Sequence, residues 1–178
     1  LNQFNYETFS KNNEKTFNSK LSPVYKAIDI TRKKLKKEKS LICFIGAPWT
    51  LLIYMLDLKI EKNKLNFNKL EKEKLNLSAI IEKLIEYLTI HIKNQINAGA
   101  DVVQIFDSWA GLIPEKNIQD FCYKPNAKIV EFCNKKNIPN ICFPKGIKEK
   151  YYNFNRFVKP SGINIDSDID PKWARNKL

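Results

Sequence analysis

The fold class follows from the stretch Leu41-Ile42-Cys43-Phe44-Ile45-Gly46-Ala47-Pro48-Trp49-Thr50. Its first five residues form a continuous apolar run of strand length, which is typical of a parallel strand covered on both faces. The Gly-Ala-Pro that follows turns the chain, and a helix is expected to start near Thr50. This strand–turn–helix unit predicts an α/β protein.

The same unit recurs along the chain. Further strands are predicted at 101–106, 139–143 and 162–166, and helices at 50–56, 78–97, 114–137, 149–157 and 171–175. The helix at 78–97 has the clearest apolar face, and Gly99 follows it as a C-cap. Pro125 is expected to interrupt the helix at 114–137. The alternation of strands and helices favours βα units and a parallel sheet.

Two closures of such a sheet compete: an open doubly wound sheet and part of a (β/α)8 barrel. No strand is followed by GxGxxG or GxxxxGK[ST], the phosphate-binding signatures of nucleotide-binding sheets. A complete barrel needs about 250 residues, so four strands in 178 residues make about half of one. The expected fold is therefore part of a (β/α)8 TIM barrel of roughly four strand–helix units, incomplete at both ends.

The whole chain, 1–178, is expected to form this single partial barrel domain. Residues 1–20 are rich in Asn, Lys and Ser and are predicted to form an irregular arm. A helix is predicted to follow, with Ser22 as its N-cap and Pro23 at its first position. Residues 57–77 are predicted to be a lysine-rich insert.

The composition limits the partners of the chain. There are 31 basic and 19 acidic residues, a net charge of +12, but only three of the basic residues are arginines. Arginine is the preferred residue for bidentate phosphate and guanine contacts, so no nucleic-acid partner is expected. The uncharged run at 40–56 is interrupted by Gly-Ala-Pro and is interpreted as a strand, a turn and a helix, not as a membrane span.

Cysteine and histidine do not form a metal-binding pattern. The four cysteines, Cys43, Cys122, Cys133 and Cys142, have irregular spacing without a CxxC pair. They are interpreted as buried free thiols in a reducing cytosol, and no signal peptide is visible. The only histidine, His91, lies in the middle of a predicted helix and is not expected to be catalytic.

The distinctive side chains follow the predicted strands, where function collects in parallel α/β folds. Each has a structural interpretation beside a functional one. Trp49 and Trp109 are expected to pack rather than to bind a substrate, and Asp107 can be a structural acceptor that holds its loop. Tyr54 and Ser108 are equally compatible with packing or capping and with ligand binding. No Ser-His-Asp set, carboxylate pair or metal cluster can be assembled from these loops.

Two long motifs resemble the uroporphyrinogen decarboxylase family. The first is Phe-Ile-Gly-Ala-Pro-Trp-Thr-Leu at 44–51 with Tyr-Met at 54–55, and the second is Val-Gln-Ile-Phe-Asp-Ser-Trp-Ala-Gly at 103–111. Gln-Ile-Asn-Ala-Gly-Ala at 95–100, the Ala-Ile-Asp-Ile-Thr-Arg helix at 27–32 and the weaker stretches at 143–146 and 170–175 agree with it. The resemblance covers roughly residues 23–178, which correspond to the middle of that family's chain.

The resemblance implies a (β/α)8 barrel, commonly a homodimer, that works without a metal or an organic cofactor. The family removes carbon dioxide from the four acetate side chains of uroporphyrinogen, which gives coproporphyrinogen in haem and chlorophyll synthesis. Protonation of a pyrrole carbon makes an electron-poor ring that accepts the electrons left as the carboxylate departs. The protein then has to bind carboxylates, stabilise the cationic pyrrole and exclude water.

Site residues are carried over from the family position by position. Tyr54 matches its substrate-binding tyrosine and Ser108 its substrate-binding serine, while Phe106 matches an apolar residue near the pocket. Lys145 has no counterpart with a role and is interpreted as surface charge. The family's arginine-rich motif, its catalytic aspartate and its C-terminal histidine are expected to lie outside this segment, and Asp107 is not that aspartate. The isolated chain is therefore predicted to be inactive and poorly soluble, with exposed apolar strand edges.

Three alternatives belong to other classes of protein. A corrinoid or coenzyme M methyltransferase on a related barrel uses zinc held by His and Cys, but the chain has no His-x-Cys pair. A non-catalytic half-barrel remnant would bind or scaffold without turnover. A basic nucleic-acid-binding domain would show a steep salt dependence of DNA binding.

Overall fold

The computed structural model describes residues 5–11, 13–58, 65 and 76–178. Seven α-helices lie in these ranges: α1 (Tyr6–Lys11), α2 (Glu14–Lys34), α3 (Pro48–Met55), α4 (Leu77–Asn97), α5 (Lys124–Lys135), α6 (Tyr151–Val158) and α7 (Pro171–Lys177). Four strands lie between them: β1 (Ile42–Gly46), β2 (Val102–Asp107), β3 (Asn140–Pro144) and β4 (Gly162–Ile163). Short 3₁₀ turns occupy Ala110–Leu112, Glu115–Asn117 and Lys148–Lys150, and a π-helical turn occupies Gln119–Tyr123.

The four strands form one parallel sheet in the order β1-β2-β3-β4. Each strand pairs with the next one along the chain, so the order never reverses as it does in a doubly wound sheet. Because crossovers between parallel strands are right-handed, this order places the connecting helices on one face. The expectation of part of a (β/α)8 barrel is thereby confirmed over the described residues.

The two faces of the sheet differ in burial, as the two faces of a barrel wall do. Residues that point to the helices are buried, among them Ile45, Val103 and Ile105. On the opposite face, which we call the inner face, Ile42 is 53% exposed and Phe44 is 67% exposed. The expectation that both faces of β1 are covered is therefore wrong for the described part of the chain. An apolar run is compatible with either environment, because the inner face of a barrel is itself apolar.

The amino-terminal segment is helical where an irregular arm was expected. Helix α1 and the first turns of α2 lie within residues 1–20, and α2 begins at Glu14 with Asn13 as its N-cap, not at Ser22. The Asn13 side chain accepts a hydrogen bond of 2.9 Å from the Thr16 N–H. Phe17 stacks on Tyr87 of α4 with ring centroids 4.8 Å apart. Tertiary packing and a cap thus override the weak local pattern.

Pro23 lies inside α2 instead of at its start. A proline in a helix leaves the carbonyl four residues earlier without its usual N–H donor. That carbonyl belongs to Ser19, and the Ser22 hydroxyl donates to it at 2.9 Å. The adjacent serine therefore satisfies the group that the proline leaves unpaired.

The remaining predicted elements shift by small amounts. The strand predictions at 41–45, 101–106 and 139–143 are each displaced by one residue, whereas β4 has two residues instead of the five predicted. The predicted helix at 114–137 begins as 3₁₀ and π turns and becomes α-helical at Lys124, so the interruption near Pro125 is confirmed. Most of the insert predicted at 57–77 lies outside the described residues.

The core lies between the sheet and α3, α4 and α5. All four cysteines are buried and free, as predicted. Burial raises the pKa of the Cys43 thiol to about 11 and that of Cys133 to about 12. Both thiols are therefore protonated and unreactive at neutral pH. In the described ranges, no helix has the length and apolar character needed to cross a membrane.

Candidate functional site

The loops that follow β1, β2 and β3 meet at the carboxyl edge of the sheet. The Ala47 N–H donates to the Phe106 carbonyl at 2.8 Å, and the Lys145 N–H donates to the Asp107 carbonyl at 3.1 Å. The Gly111 N–H then donates to the Lys145 carbonyl at 2.9 Å. These backbone hydrogen bonds extend the sheet into its loops, so the three loops form one connected rim.

Two glycines allow this rim to close. A Cβ added to Gly111 would lie 2.6 Å from the carbonyl oxygen of Gly146, closer than any real contact of that kind. Gly146 has a φ of +81°, which favours glycine. Its N–H donates to the Asp166 carboxylate at 2.6 Å, and that carboxylate also accepts from the Tyr151 hydroxyl at 2.9 Å. The end of β3 is thereby joined to the segment that follows β4.

Asp107 ends β2 with its side chain buried on the helix side. Its carboxylate accepts hydrogen bonds from the Thr50 hydroxyl at 2.9 Å and from the Asn126 amide at 3.1 Å. Burial raises the pKa of Asp107 to about 6, and the hydrogen bonds from Thr50 and Asn126 oppose this shift. The interpretation of Asp107 as a structural acceptor is confirmed, and its carboxylate faces the helices rather than the inner face.

Ser108 lies directly after β2, and the backbone on both sides of it is fixed. On one side, the Asp107 carbonyl accepts a hydrogen bond from the Lys145 N–H. On the other side, the Trp109 N–H donates to the Thr50 hydroxyl at 3.4 Å, and the Trp109 carbonyl accepts from the Trp49 indole at 3.0 Å. Ser108 itself is half-buried, and its hydroxyl has no hydrogen-bond partner within the described part of the chain. A fixed backbone with an unengaged hydroxyl suits a group that binds a ligand.

Tyr54 lies in the last turn of α3, the helix that follows β1, and is 61% exposed. Its hydroxyl likewise forms no hydrogen bond with the residues that the structure describes. Trp49, in the first turn of the same helix, is fully buried and packs against Phe121 with ring centroids 5.5 Å apart. Trp109 is half-buried against the core. The expectation that both tryptophans are packing residues is confirmed.

Three aromatic rings form a row on the inner face below these loops. Phe106 is 37% exposed and lies between Phe44 and Phe143, with ring centroids 6.1 Å and 6.3 Å away. The neighbours are set by the register of the sheet, which places Phe106 beside Phe143. Sequence reasoning singled out Phe106 alone. The period-two alternation in each strand would have placed Phe44 and Phe143 on the same face.

Lys145 and His91 lie where the sequence analysis predicted them, Lys145 at the surface and His91 within a helix. Lys145 presents an exposed side chain, and its backbone N–H and carbonyl join the loops. His91 is on α4 and shares a hydrogen bond of 3.0 Å with the Tyr25 hydroxyl of α2. Burial lowers the pKa of His91, so it is neutral at pH 7. Thr50 and Asn126, which hold Asp107, were not predicted, because their contacts span 57 and 19 residues of sequence.

Comparison with known proteins agrees with the motifs. The family model described as uroporphyrinogen decarboxylase (URO-D) matches residues 3–178. Proteins named uroporphyrinogen decarboxylase are similar to the chain: one from Orientia tsutsugamushi (strain Boryong) is 42% identical over 158 residues, 85% of this chain and 45% of its own. One from Rickettsia bellii is 39% identical over 175 residues, 93% of this chain and 50% of its own. One from Campylobacter jejuni (strain RM1221) is 34% identical over 175 residues, 97% and 51% respectively.

The chain thus spans about half the length of the curated relatives it matches. The match runs through both motifs and through every described strand and helix. The resemblance inferred from the strand-end loops is therefore confirmed, and the chain belongs to the uroporphyrinogen decarboxylase family.

Proposed function

We propose that this chain is the substrate-binding βα segment of a uroporphyrinogen decarboxylase. The whole protein would remove carbon dioxide from the four acetate side chains of uroporphyrinogen III and release coproporphyrinogen III, without a metal or organic cofactor. The observation that carries this proposal is the family match over residues 3–178, which includes Tyr54 and Ser108, whose hydroxyls have no hydrogen-bond partner among the described residues.

The two hydroxyls are proposed to bind carboxylate side chains of the tetrapyrrole. Ser108 directly follows β2, and Tyr54 lies on α3, the helix that follows the neighbouring strand β1. A hydroxyl that donates to a carboxylate forms a charge-assisted hydrogen bond, which is stronger than a neutral one. The net charge of +12 favours the approach of a substrate with many carboxylates.

The inner face is proposed to hold the pyrrole rings. The aromatic row of Phe44, Phe106 and Phe143 offers an apolar surface next to the loops. An apolar surface displaces water, which strengthens the electrostatic interactions with charge that develops in the transition state. The pyrrole protonated on carbon then serves as the electron acceptor when the carbon–carboxylate bond breaks and carbon dioxide leaves. Protonation of the resulting exocyclic methylene carbon and loss of the proton from the ring carbon would then give the methyl-substituted pyrrole.

The proton donor is proposed to come from the part of the relatives that this chain does not span. Asp107 faces the helices and is engaged by Thr50 and Asn126, so it is not placed to protonate a ring on the inner face. The isolated chain is accordingly proposed to be inactive. A homodimer of the whole protein and a cytoplasmic location rest on the family resemblance alone.

A full-length chimera tests this proposal. In the Orientia relative, the matching 158 residues are replaced by those of this chain, and the conversion of uroporphyrinogen to coproporphyrinogen is measured. Hydrogen bonds to charged groups contribute about 1.5–3 kcal/mol, so Tyr54→Phe and Ser108→Ala should each lower kcat/KM by about 10- to 100-fold, mainly through KM.

Matched variants away from the loops serve as controls. Tyr152→Phe alters a tyrosine on α6 that accepts a hydrogen bond from Arg156, and Ser161→Ala alters an exposed serine before β4. Both should retain kcat/KM within about twofold, as surface substitutions usually do. If Tyr54→Phe and Ser108→Ala behave like these controls, the assigned binding role is wrong.

A further inference from the structure

Thr50 connects the two segments that carry the proposed substrate-binding hydroxyls. It is 3% exposed and lies in the first turns of α3. Its hydroxyl donates to Asp107 at 2.9 Å and accepts from the Trp109 N–H at 3.4 Å. One buried oxygen therefore contacts both neighbours of Ser108.

The same hydroxyl stands in a fixed relation to Tyr54. Residues four apart in a helix lie one turn apart on the same side, and Thr50 and Tyr54 have this spacing in α3. Helix α3 is a rigid element of eight residues, so its position along the sheet edge sets where Tyr54 stands. The Thr50 contacts join α3 to the residues on both sides of Ser108.

Asp107 and Trp109, the two residues that Thr50 contacts, are each held by one further side chain. The Asn126 amide donates both to Asp107 at 3.1 Å and to the Cys122 carbonyl at 2.9 Å, which ties the carboxylate to the helix after β2. The Trp49 indole donates to the Trp109 carbonyl at 3.0 Å. Asp107 is therefore held from two helices, and Thr50 is the group that links it to α3.

We propose that Thr50 is a positioning residue that sets the separation between the hydroxyls of Tyr54 and Ser108. This inference rests on the proposed function, since it assigns to Thr50 the geometry that lets two hydroxyls engage one bound macrocycle. A substrate gains hydrogen bonds from both donors only when the separation of the donors suits the spacing of its carboxylates in the bound conformation.

The first test compares three variants in the chimera. Thr50→Val keeps the shape and removes the hydroxyl, Thr50→Ser keeps the hydroxyl, and Thr50→Cys retains only a weak donor. Thr50→Val should lower kcat/KM about tenfold or more, Thr50→Ser should stay within about threefold of the parent, and Thr50→Cys should fall between them. If Thr50→Val fails to fold, the comparison of Thr50→Cys with Thr50→Ser gives the answer.

A double-mutant cycle separates positioning from a merely structural role. If Thr50 positions Tyr54, the loss caused by Tyr54→Phe should be several-fold smaller in the variant that lacks the Thr50 hydroxyl than in the parent, because the bond is already impaired. Additive losses, or a lower melting temperature with unchanged kcat/KM, would overturn the inference. If Tyr54→Phe and Ser108→Ala are themselves silent, the proposed function fails instead.

A distance measurement on the chain itself does not depend on catalysis. Spin labels on Tyr54→Cys and Ser108→Cys report the separation of the two positions, since the native thiols are buried and unreactive. We expect a narrow distance distribution in the parent and in Thr50→Ser, and a broader or displaced one in Thr50→Val. An unchanged distribution in Thr50→Val would overturn the inference.

Discussion

At the scale of single residues, Asp107 is a carboxylate buried within the candidate site. It is 1% exposed, and the titratable groups that face it are the thiols of Cys122 and Cys142, which are neutral at pH 7. Hydrogen bonds from Thr50 and Asn126 offset only part of the cost of burying its charge. Its pKa of about 6 lies above the value of about 3.9 for an exposed aspartate.

This difference predicts how stability varies with pH. Since the folded chain holds the Asp107 proton more tightly than the unfolded chain, this group's contribution is fully present below about pH 4 and is lost as pH rises through about 6. The change amounts to about 3 kcal/mol at most. Urea unfolding at pH 4, 5, 6 and 7 should show this decline in the parent and a flatter profile in Asp107→Asn.

The exposed Asp168 provides the comparison for that experiment. Asp168→Asn removes a carboxylate outside the core and should keep the profile of the parent. A decline between pH 4 and 6 that persists unchanged in Asp107→Asn would show that another group is responsible.

The position of Asp107 can be predicted from the sequence, whereas its hydrogen-bond partners cannot. Asp107 can be placed at the end of β2 from the apolar run that precedes it, and its structural role was one of two open interpretations. Its partners Thr50 and Asn126 are not predictable from local pattern, because only the docking of α3 and α5 on the sheet brings them to it. Tyr54 and Ser108 are singled out by the family motifs, since local chemistry alone leaves both a structural and a ligand-binding interpretation open.

At the scale of elements, the loops after β2 and β3 meet backbone to backbone. The contact of Gly111 with Gly146 leaves no room for a side chain, because the obstructing atom is a carbonyl oxygen in a loop held by hydrogen bonds. Displacing this loop would also disturb the bond from the Gly146 N–H to Asp166.

Gly111→Ala is therefore expected to destabilise the chain by about 2–4 kcal/mol, since both loops must separate to admit the methyl group. Thermal or urea unfolding measures the loss. Gly162→Ala is the matched control, because the Cβ added there would meet Ile141 at an ordinary distance of 3.5 Å. Equal stabilities of the two variants would contradict the described contact between the loops.

Element predictions were accurate where hydrophobic pattern dominates. Strands β1, β2 and β3 are mainly apolar, and the predicted bounds lie within one residue of the observed ones. Helix α2 was mistaken for an arm followed by a shorter helix, because Pro23 indicated a helix start and the preceding residues are polar. The Ser22 hydroxyl and the stacking of Phe17 on Tyr87 stabilise the helix there, and only the second of these depends on tertiary structure.

At the scale of the whole molecule, the sheet has one face packed on helices and one apolar face exposed. In the described part of the chain, Ile42, Phe44 and Phe106 lie on the inner face with at least 37% of each residue accessible. Exposed contiguous apolar surface promotes association. The isolated 178-residue chain should therefore bind a hydrophobic dye and self-associate as its concentration rises.

Phe44→Lys should reduce both dye binding and self-association, since it replaces the most exposed apolar side chain of this face with a charge. Sedimentation velocity and dye fluorescence measure the two effects. Val24→Lys, at a position 42% exposed on α2, is the control and should leave both unchanged. A monomeric parent that binds no dye would show that the inner face is covered in solution.

The activity of the chimera decides whether this chain can serve as part of a uroporphyrinogen decarboxylase. Uroporphyrinogen is supplied to the isolated chain and to the full-length Orientia relative that carries these residues in place of its own matching 158. We expect no turnover by the isolated chain and coproporphyrinogen production by the chimera at a rate within about tenfold of the relative. A folded chimera that binds no uroporphyrinogen and produces no coproporphyrinogen would contradict it, and so would turnover by the 178-residue chain alone.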